Sequence, residues 1–250
     1  MRVLVTGAAG FLGRGLIIPF EQRGDTLRLM DVVPFQSRHE VVVGSVADLD
    51  ACMRAAAGVE AIVIAHMAPR TRGAYDSPGA GFDVNVKGTA NLFHAAVQHR
   101  IQAVVVISST SVFERHKQEP HPHDLPLQTQ GYYGLSKACQ ELIAETFAHE
   151  HKIRVACLRC GYILDGDANV DKYGHVVTER NPPCTDRRDI GEVARFCLER
   201  RDITYETFTV MSAEESMTLW DVRYTCDRLG WKPRYDFRWL RVPKAKEPAR

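Results

Sequence analysis

The chain has 250 residues, of which 45% are hydrophobic and 25% charged, enough for one large α/β domain or two small ones. Its 32 Lys and Arg balance 31 Asp and Glu to a net charge of +1, which excludes the electrostatic footprint of a protein that binds nucleic acid or an anionic membrane. Its apolar runs are far shorter than the roughly 20 residues that span a bilayer, and its first residues lack the pattern of an export signal. We therefore expect a cytoplasmic protein with a small-molecule partner.

Apolar runs of strand length alternate with helical patterns along most of the chain. The predicted strands are Arg2–Thr6, Leu27–Asp31, Val41–Val43, Ala61–Ala65, Ala103–Ser108, Val155–Cys160 and Thr207–Met211. The predicted helices are Phe11–Arg23, Leu49–Ala56, Phe82–His99, Gly131–His149, Asp189–Arg200 and Thr218–Leu229. This alternation predicts an α/β fold with a doubly wound parallel sheet, because each parallel crossover needs a helix.

The first strand runs into a glycine turn, Gly7 to Gly13 with a further glycine at position 10, and then into a helix. This order is typical of a turn that binds the pyrophosphate of a dinucleotide. Asp31 ends the second strand 18 residues after Gly13, close to the spacing of the acid that binds the adenosine ribose. No basic residue follows it directly to accept a 2′-phosphate, which favours NAD over NADP.

Three irregular stretches are candidate walls of the site, because they follow strand ends or interrupt the alternation: 69–81, 114–130 and 164–183. The last of them would form most of a small second lobe. The proline-containing, basic segment 241–250 is expected to be a disordered tail.

The seven cysteines are scattered through the chain, which in a reducing compartment favours free thiols. Cys157 and Cys160 form a C-x-x-C in a strand-like run with no second pair, and His121 and His123 flank a proline with no further ligand nearby. We therefore predict no metal site.

Tyr133 and Lys137 are four residues apart at the start of a predicted helix and so share one face. An ammonium beside a phenol favours the phenolate, which makes Tyr133 a usable general acid or base. A serine-rich strand end, Ile107 to Phe113, lies upstream and offers hydroxyls for a reacting oxygen.

Together these residues resemble the extended short-chain dehydrogenase/reductase superfamily, in its NAD-dependent epimerase/dehydratase group. The matching segments are Thr6–Gly13, Asp31, Ala65–Ala68, Asn85–Thr89, Ile107–Phe113, Tyr133 with Lys137, and Leu158–Arg159. The resemblance implies a Rossmann-type domain over residues 1–160, a small substrate lobe over 161–240 that is interleaved with the last sheet elements, and a homodimer built on two of the helices.

By position, the resemblance implies that Ser109 is the catalytic hydroxyl, Tyr133 the acid or base, and Lys137 the residue that binds the nicotinamide ribose. The implied cofactor contacts are Gly7, Ala9, Gly10, Phe11, Leu12, Gly13, Asp31, Val32, Ser45, Val46, Ala65, His66, Met67, Asn85, Ile107, Tyr133, Lys137 and Cys160. The implied substrate contacts are Met67, Arg72, Ser109, Thr110, Tyr162 and Lys172. Ser45 departs from the group, which usually carries an acid at this position.

The implied activity is oxidation of a hydroxyl of a small sugar or sugar acid by hydride transfer to NAD. Thr110 and Ser111 stand where dehydratases carry an acidic pair, and the segment after Leu164 is short for a nucleotide-sugar epimerase. Two alternatives remain: a sugar or nucleotide-sugar epimerase that recovers its NAD, and an NAD-sensing binding protein without turnover. The sequence does not name the substrate.

Overall fold

In a computed structural model of the chain, the structure describes residues 1–68, 75–113, 120–181 and 183–241. The strands in these ranges are β1 Arg2–Thr6, β2 Thr26–Asp31, β3 Glu40–Val43, β4 Ala61–Ile64, β5 Ala103–Ser109, β6 Arg154–Cys160, β7 Tyr162–Asp165, β8 Val170–Asp171, β9 Cys184–Asp186 and β10 Tyr205–Val210. The helices are α1 Phe11–Leu16, α2 Ile18–Arg23, α3 Leu49–Ala56, α4 Gly79–Gly81, α5 Gly88–Gln98, α6 Gly131–His151, α7 Arg187–Glu199, α8 Ser216–Leu219 and α9 Val222–Leu229. A π-helical stretch, Phe82–Lys87, joins α4 to α5, and a 3₁₀ turn, Thr110–Val112, follows β5.

Seven strands form the main sheet in the order β10-β6-β5-β4-β1-β2-β3. All neighbouring strands in it are parallel, which confirms the predicted doubly wound α/β fold. Every predicted strand is present with ends within two residues of the prediction. The strands were predictable because parallel strands are buried on both faces and therefore read as continuous apolar runs.

Helices pack on both faces of this sheet and give it two apolar layers. Val105 and Ile107 of β5 point into the layer that contains residues of α1 and α7, whereas Val104 and Val106 point into the layer that contains residues of α3 and α5. The alternation follows from the two-residue period of a strand.

Two predicted helices are interrupted. The predicted helix Phe11–Arg23 is two helices that meet at Ile17, because Pro19 stands at the start of α2 and has no N–H to continue the first helix. The predicted helix Thr218–Leu229 is also wrong, because the structure has two helices there, α8 and α9. Asp221 caps α9, and its carboxylate accepts from the Tyr224 N–H.

A second, three-stranded sheet with the order β8-β7-β9 follows β6. β7 is antiparallel to β8 and parallel to β9. Arg187 at the start of α7 ties this sheet to the first helix, because it forms an ion pair with Asp165 of β7 and donates to the Phe11 carbonyl oxygen at 3.2 Å. The two sheets are therefore joined next to the glycine turn.

Among the described residues, no helix has both the length and the apolar composition needed to cross a membrane. The predicted tail lies outside the described residues from position 242 onward.

Candidate functional site

The carboxyl ends of β1, β2, β4 and β5 open onto one cavity of about 380 Å³. The strands are parallel, so the turns that follow them meet at one edge of the sheet, where ligands of such folds bind. The face of α6 that carries Tyr133 and Lys137 closes one side of the cavity, and Ile163 of the small sheet closes another. The motifs singled out in the sequence are thus brought together around one space.

The glycine turn forms the floor of the cavity. The turn residues that line it are Gly7, Ala9, Gly10, Phe11 and Leu12. Gly7 has a φ of +68°, and a Cβ there would lie 2.7 Å from the Cα of His66. Gly13 lies beneath the turn, where a Cβ would meet the Gly7 carbonyl oxygen at 2.3 Å. Both positions therefore require glycine, one for its backbone conformation and both for close packing.

Asp31 holds the turn from the end of β2. Its carboxylate accepts from the Ala9 N–H at 2.9 Å and from the Val33 N–H at 3.4 Å, and it lines the cavity. Val32 lines the cavity beside it. This arrangement leaves a carboxylate at the cavity edge where a ribose would lie.

Ser45 and Val46, after β3, line the wall next to Asp31. The Ser45 hydroxyl oxygen accepts from the Ala47 N–H at 3.2 Å, so it shapes its own turn. Val46 is buried and gives this wall an apolar surface.

Ala65, His66 and Met67 line the cavity after β4. The Nδ1 of the His66 ring lies 2.9 Å from the Thr6 hydroxyl, and that hydroxyl accepts from the Ala65 N–H at 3.2 Å. Burial, together with the nearby Lys137 charge, lowers the pKa of His66 to about 3. At physiological pH the His66 ring is therefore uncharged, so it lines the cavity without acting as a general acid.

Tyr133 and Lys137 occupy successive turns of α6 and both line the cavity. The Lys137 ammonium donates to the Ile107 carbonyl oxygen at 2.8 Å, which places its charge at the end of β5. The Tyr133 ring is half-buried and makes an edge contact with Tyr75 at 5.3 Å between ring centroids. The helix approaches the 3₁₀ turn closely, since a Cβ on Gly134 would lie 2.5 Å from the Ser111 carbonyl oxygen.

The two serines that end β5 have different surroundings. Ser108 lines the cavity, and its hydroxyl donates to Glu141 at 2.5 Å. Ser109 is buried next to it; its hydroxyl oxygen accepts from the Ser111 N–H and lies 3.2 Å from the Ser111 hydroxyl. Thr110 belongs to the 3₁₀ turn, and both Ser109 and Thr110 are outside the cavity lining. A role for Ser109 in catalysis stays a prediction.

Two of the predicted cofactor contacts support the cavity from behind it. The fully buried Asn85 accepts from the Ala68 N–H at 2.9 Å and donates to the Ser136 hydroxyl at 2.9 Å, which ties the loop after β4 to α6. Cys160 is buried opposite Ser109 in the strand register. Burial raises the pKa of its thiol to about 12, so it stays protonated.

The predicted substrate contacts divide between two spaces. Met67 and Lys172 line the main cavity. Tyr162 lines a separate open groove on the small sheet, where its hydroxyl donates to Asp171 at 2.6 Å. Asp171 also accepts from the Tyr173 and His175 N–H groups, which fixes the turn that carries Lys172. Arg72 lies outside the described residues.

Sequence reasoning missed six residues that line the cavity: Met30, Val33, Gly44, Val84, Ser108 and Ile163. Met30, Val33 and Ser108 are direct neighbours of predicted contacts, so the sequence had already indicated the strand ends at which they lie. Gly44, Val84 and Ile163 also adjoin predicted contacts, namely Ser45, Asn85 and Tyr162, but it is the tertiary fold that turns them toward the cavity.

Within the part of the chain that the structure describes, no three His, Cys, Asp or Glu side chains gather as a metal site would require. The seven cysteines all lie in described segments and carry free thiols.

A family model described as the NAD dependent epimerase/dehydratase family matches residues 3–165. Uronate dehydrogenase from Pseudomonas syringae pv. tomato is 33% identical over 165 residues, which are 64% of this chain and 58% of that enzyme. The chain therefore matches less than two thirds of that relative's length.

Two solved structures share the fold. A uronate dehydrogenase variant from Agrobacterium tumefaciens, complexed with NAD, has a TM-score of 0.75 at 23% identity, with 93% of this chain and 84% of that chain covered. UDP-glucose-4-epimerase from Stenotrophomonas maltophila, with bound NAD, has a TM-score of 0.80 at 16% identity, with 94% of both chains covered. From the family match and the geometry of the cavity, the chain belongs to the NAD dependent epimerase/dehydratase family, whose cofactor is NAD.

Proposed function

We propose that this protein oxidises a hydroxyl of a small sugar or sugar acid, with NAD as the hydride acceptor. The observation that carries the proposal is that Tyr133 and Lys137 line the same cavity as the glycine turn and Asp31. One space can therefore hold a dinucleotide and, beside its reactive end, an acid–base pair.

The residues around the cavity fit a dinucleotide. The turn presents Gly7 and Gly10 to the cavity, where a pyrophosphate would approach, and the Asp31 carboxylate would accept from the ribose hydroxyls. Lys137 would hold the nicotinamide ribose beside Ile107, whose carbonyl oxygen it already contacts. When bound, NAD supplies an acceptor for a hydrogen that leaves carbon with its electron pair.

In the proposed reaction, Tyr133 as phenolate takes the proton of the substrate hydroxyl. Ser109 donates a hydrogen bond to the reacting oxygen after its hydroxyl turns away from Ser111. With that proton removed, the alcohol carbon is ready to become a carbonyl carbon, the oxidation for which a bound NAD would supply the hydrogen acceptor. The protein contributes the positions of these groups, and Lys137 adds a positive charge to the cavity.

We propose Met67, Arg72, Thr110, Tyr162 and Lys172 as substrate contacts; of these, Met67 and Lys172 line the cavity. Lys172 lines the cavity, and its ammonium would bind a carboxylate as a single point charge rather than with the fork of an arginine. The positive charge in the cavity, together with the similarity to uronate dehydrogenase, supports a sugar acid as substrate.

The test is to measure NAD reduction by the purified protein with a panel of aldoses, uronates and polyols. We expect turnover with at least one member and a loss of about a thousandfold in kcat for Tyr133→Phe, since general acid–base catalysis contributes roughly that much. The matched control is Tyr132→Phe, because Tyr132 is the exposed neighbour on the same helix. Equal rates for Tyr133→Phe and wild type would refute the proposal.

Two other results would assign a different function. A changed sugar configuration with no net NADH would identify an epimerase, and tight NAD binding without turnover on any substrate would identify an NAD-sensing protein.

Further proposals concern the assembly and location of the protein. We propose a dinucleotide domain over 1–160 and a small substrate lobe over 161–240 that is interleaved with the last elements of the main sheet, among them β10. We also propose a homodimer through the helices around 82–98 and 131–151, supported by the exposed Tyr132, Leu135 and Leu142 on α6. A cytoplasmic location is supported by the free thiols.

A further inference from the structure

A buried ion pair lies directly behind the wall of the cavity formed by β5. Glu141 of α6 is fully buried, and its Oε2 accepts from Nη2 of the buried Arg159 of β6 at 2.9 Å. Nε of Arg159 lies 3.2 and 3.3 Å from the two carboxylate oxygens. Such a pair costs much desolvation free energy and is a weak source of stability, so its other contacts indicate what it does.

The carboxylate of the pair holds the strand end that carries the serines. Oε1 of Glu141 accepts from the Ser108 hydroxyl at 2.5 Å. Arg159 is the partner of Ser108 across the β5–β6 register. The residue that follows Ser108 is Ser109, so the pair fixes the backbone from which the proposed catalytic hydroxyl projects.

The guanidinium of the pair holds the segment that leads into α6. Nη1 of Arg159 donates to the carbonyl oxygens of His123 at 2.9 Å and Leu125 at 3.0 Å. Glu141 follows Tyr133 by eight residues on the same helix and lies on the same face. One side chain therefore restrains the chain before Tyr133 directly and the helix after Tyr133 through Glu141.

We propose that Arg159 and Glu141 are positioning residues that set the distance between the Ser109 strand end and the Tyr133 helix. The proposal rests on the proposed function for the identity of the two positioned groups. Neither residue lines the cavity, and each is held behind it by the buried contacts described above, so both would act through the groups that they position.

The first test is kinetic and uses Glu141→Gln, which keeps the shape of the side chain and an acceptor for Ser108 but removes the charge that pairs with Arg159. We expect kcat to fall about tenfold or more, because small misplacements of reacting groups are costly. KM and the NAD dissociation constant should stay within about threefold, because substrate and cofactor contacts are untouched. The control is Glu145→Gln, one turn further along α6, where the side chain is exposed beside His149.

Arg159→Lys is the second variant, and it remains informative if Glu141→Gln fails to fold. It keeps the buried positive charge but loses the fork that reaches Glu141 and both carbonyl groups. We expect kcat to fall about fivefold or more below that of wild type, because both segments lose a restraint. A kcat equal to that of Glu145→Gln in every variant that folds would overturn the proposal.

Hydrogen exchange provides a measurement that needs no substrate. In Glu141→Gln, amides of residues 107–113 and 120–135 should exchange faster than in wild type, whereas those of α7 should not. Uniform acceleration would indicate a general stabilising role and overturn the proposal, as would no change at all. If wild type turns over no sugar, the proposed function fails, and the exchange experiment alone decides whether the pair holds the two segments.

Discussion

Asp31 illustrates how one side chain serves both the turn and the ligand. Its carboxylate accepts from the Ala9 N–H and faces the cavity, so it orders the glycine turn before any ligand arrives. The same negative charge would repel a phosphate on the adenosine ribose. We therefore expect the preference between NAD and NADP to depend on this one charge, which can be removed while an acceptor for the Ala9 N–H is kept.

We expect Asp31→Asn to weaken NAD binding about tenfold, or roughly 1.4 kcal/mol, because a charge-assisted hydrogen bond becomes a neutral one. The amide oxygen still accepts from Ala9, so the turn should persist. NADP should bind more tightly than to wild type, since the repulsion is gone. Calorimetric titration of both dinucleotides measures the two changes.

Asp50→Asn is the control for this titration, because Asp50 is exposed on α3 away from the cavity lining. An unchanged preference between NAD and NADP in Asp31→Asn would contradict the prediction.

The sequence predicted those site residues whose roles depend on their spacing within one short segment of the chain. The turn from Gly7 to Gly13, Asp31 and the Tyr133–Lys137 pair depend on spacing within one β–α unit or one helix, and spacing can be read directly. The role of Ser108 could not be read in this way, because its partner Glu141 lies 33 residues away. Contacts over such separations depend on how α6 packs against β5.

At the scale of elements, the strands were easier to predict than the helices. A buried parallel strand is an uninterrupted apolar run, as in β5, whose residues are all buried. The apolar period of Phe11–Arg23 continues through the break at Ile17, so the period alone cannot locate it. The π-helical stretch Phe82–Lys87 was unpredicted for a similar reason: its register is set by tertiary contacts, among them those of the buried Asn85.

The contact between α1 and β1 depends on the absence of a side chain at Gly13. We expect Gly13→Ala to lower the free energy of unfolding by about 1–3 kcal/mol, the usual cost of overpacking. A Cβ there would lie 2.3 Å from a backbone oxygen, which cannot move without the whole turn. NAD binding should weaken as well, because the turn is displaced.

Urea unfolding of Gly13→Ala and of Gly79→Ala tests this expectation. A Cβ on Gly79 would meet only the Ser77 hydroxyl, at 3.4 Å, so that variant should unfold like wild type. Equal unfolding midpoints for the two variants would show that the turn accommodates a methyl group.

At the scale of the whole molecule, two buried groups give stability opposite dependences on pH. Burial, with the charge of Lys137, lowers the pKa of His66 from 6.5 to about 3. Below pH 6.5 the unfolded chain therefore binds a proton that the folded chain does not, and stability falls as pH falls toward 3. Burial raises the pKa of Asp189 from 3.8 to about 6. The folded chain then binds the extra proton, and stability rises as pH falls from 6 toward 3.8.

We expect the His66 contribution to cost wild type roughly 2 kcal/mol between pH 7 and pH 5, since one pKa unit corresponds to about 1.4 kcal/mol. Between pH 7 and pH 5, the free energy of unfolding of His66→Gln should fall by roughly 2 kcal/mol less than that of wild type. Glutamine does not titrate, and the Asp189 contribution is common to both proteins. Urea unfolding at the two pH values gives the difference directly.

His94→Gln is the matched control, because His94 is exposed on α5. A loss of stability in His66→Gln as large as in wild type would mean that another group causes the pH dependence.

Residues of both sheets and their connecting turns line the cavity, and the smaller sheet contributes Ile163 and Lys172. The glycine turn, Asp31, Tyr133 and Lys137 belong instead to the larger sheet, the turns that follow its strands, and α6. In the proposed function, substitutions at Ile163 and Lys172 should therefore change which alcohol is accepted and leave NAD binding unchanged. A fold divided in this way allows the substrate range to change while the proposed cofactor site and acid–base pair are kept.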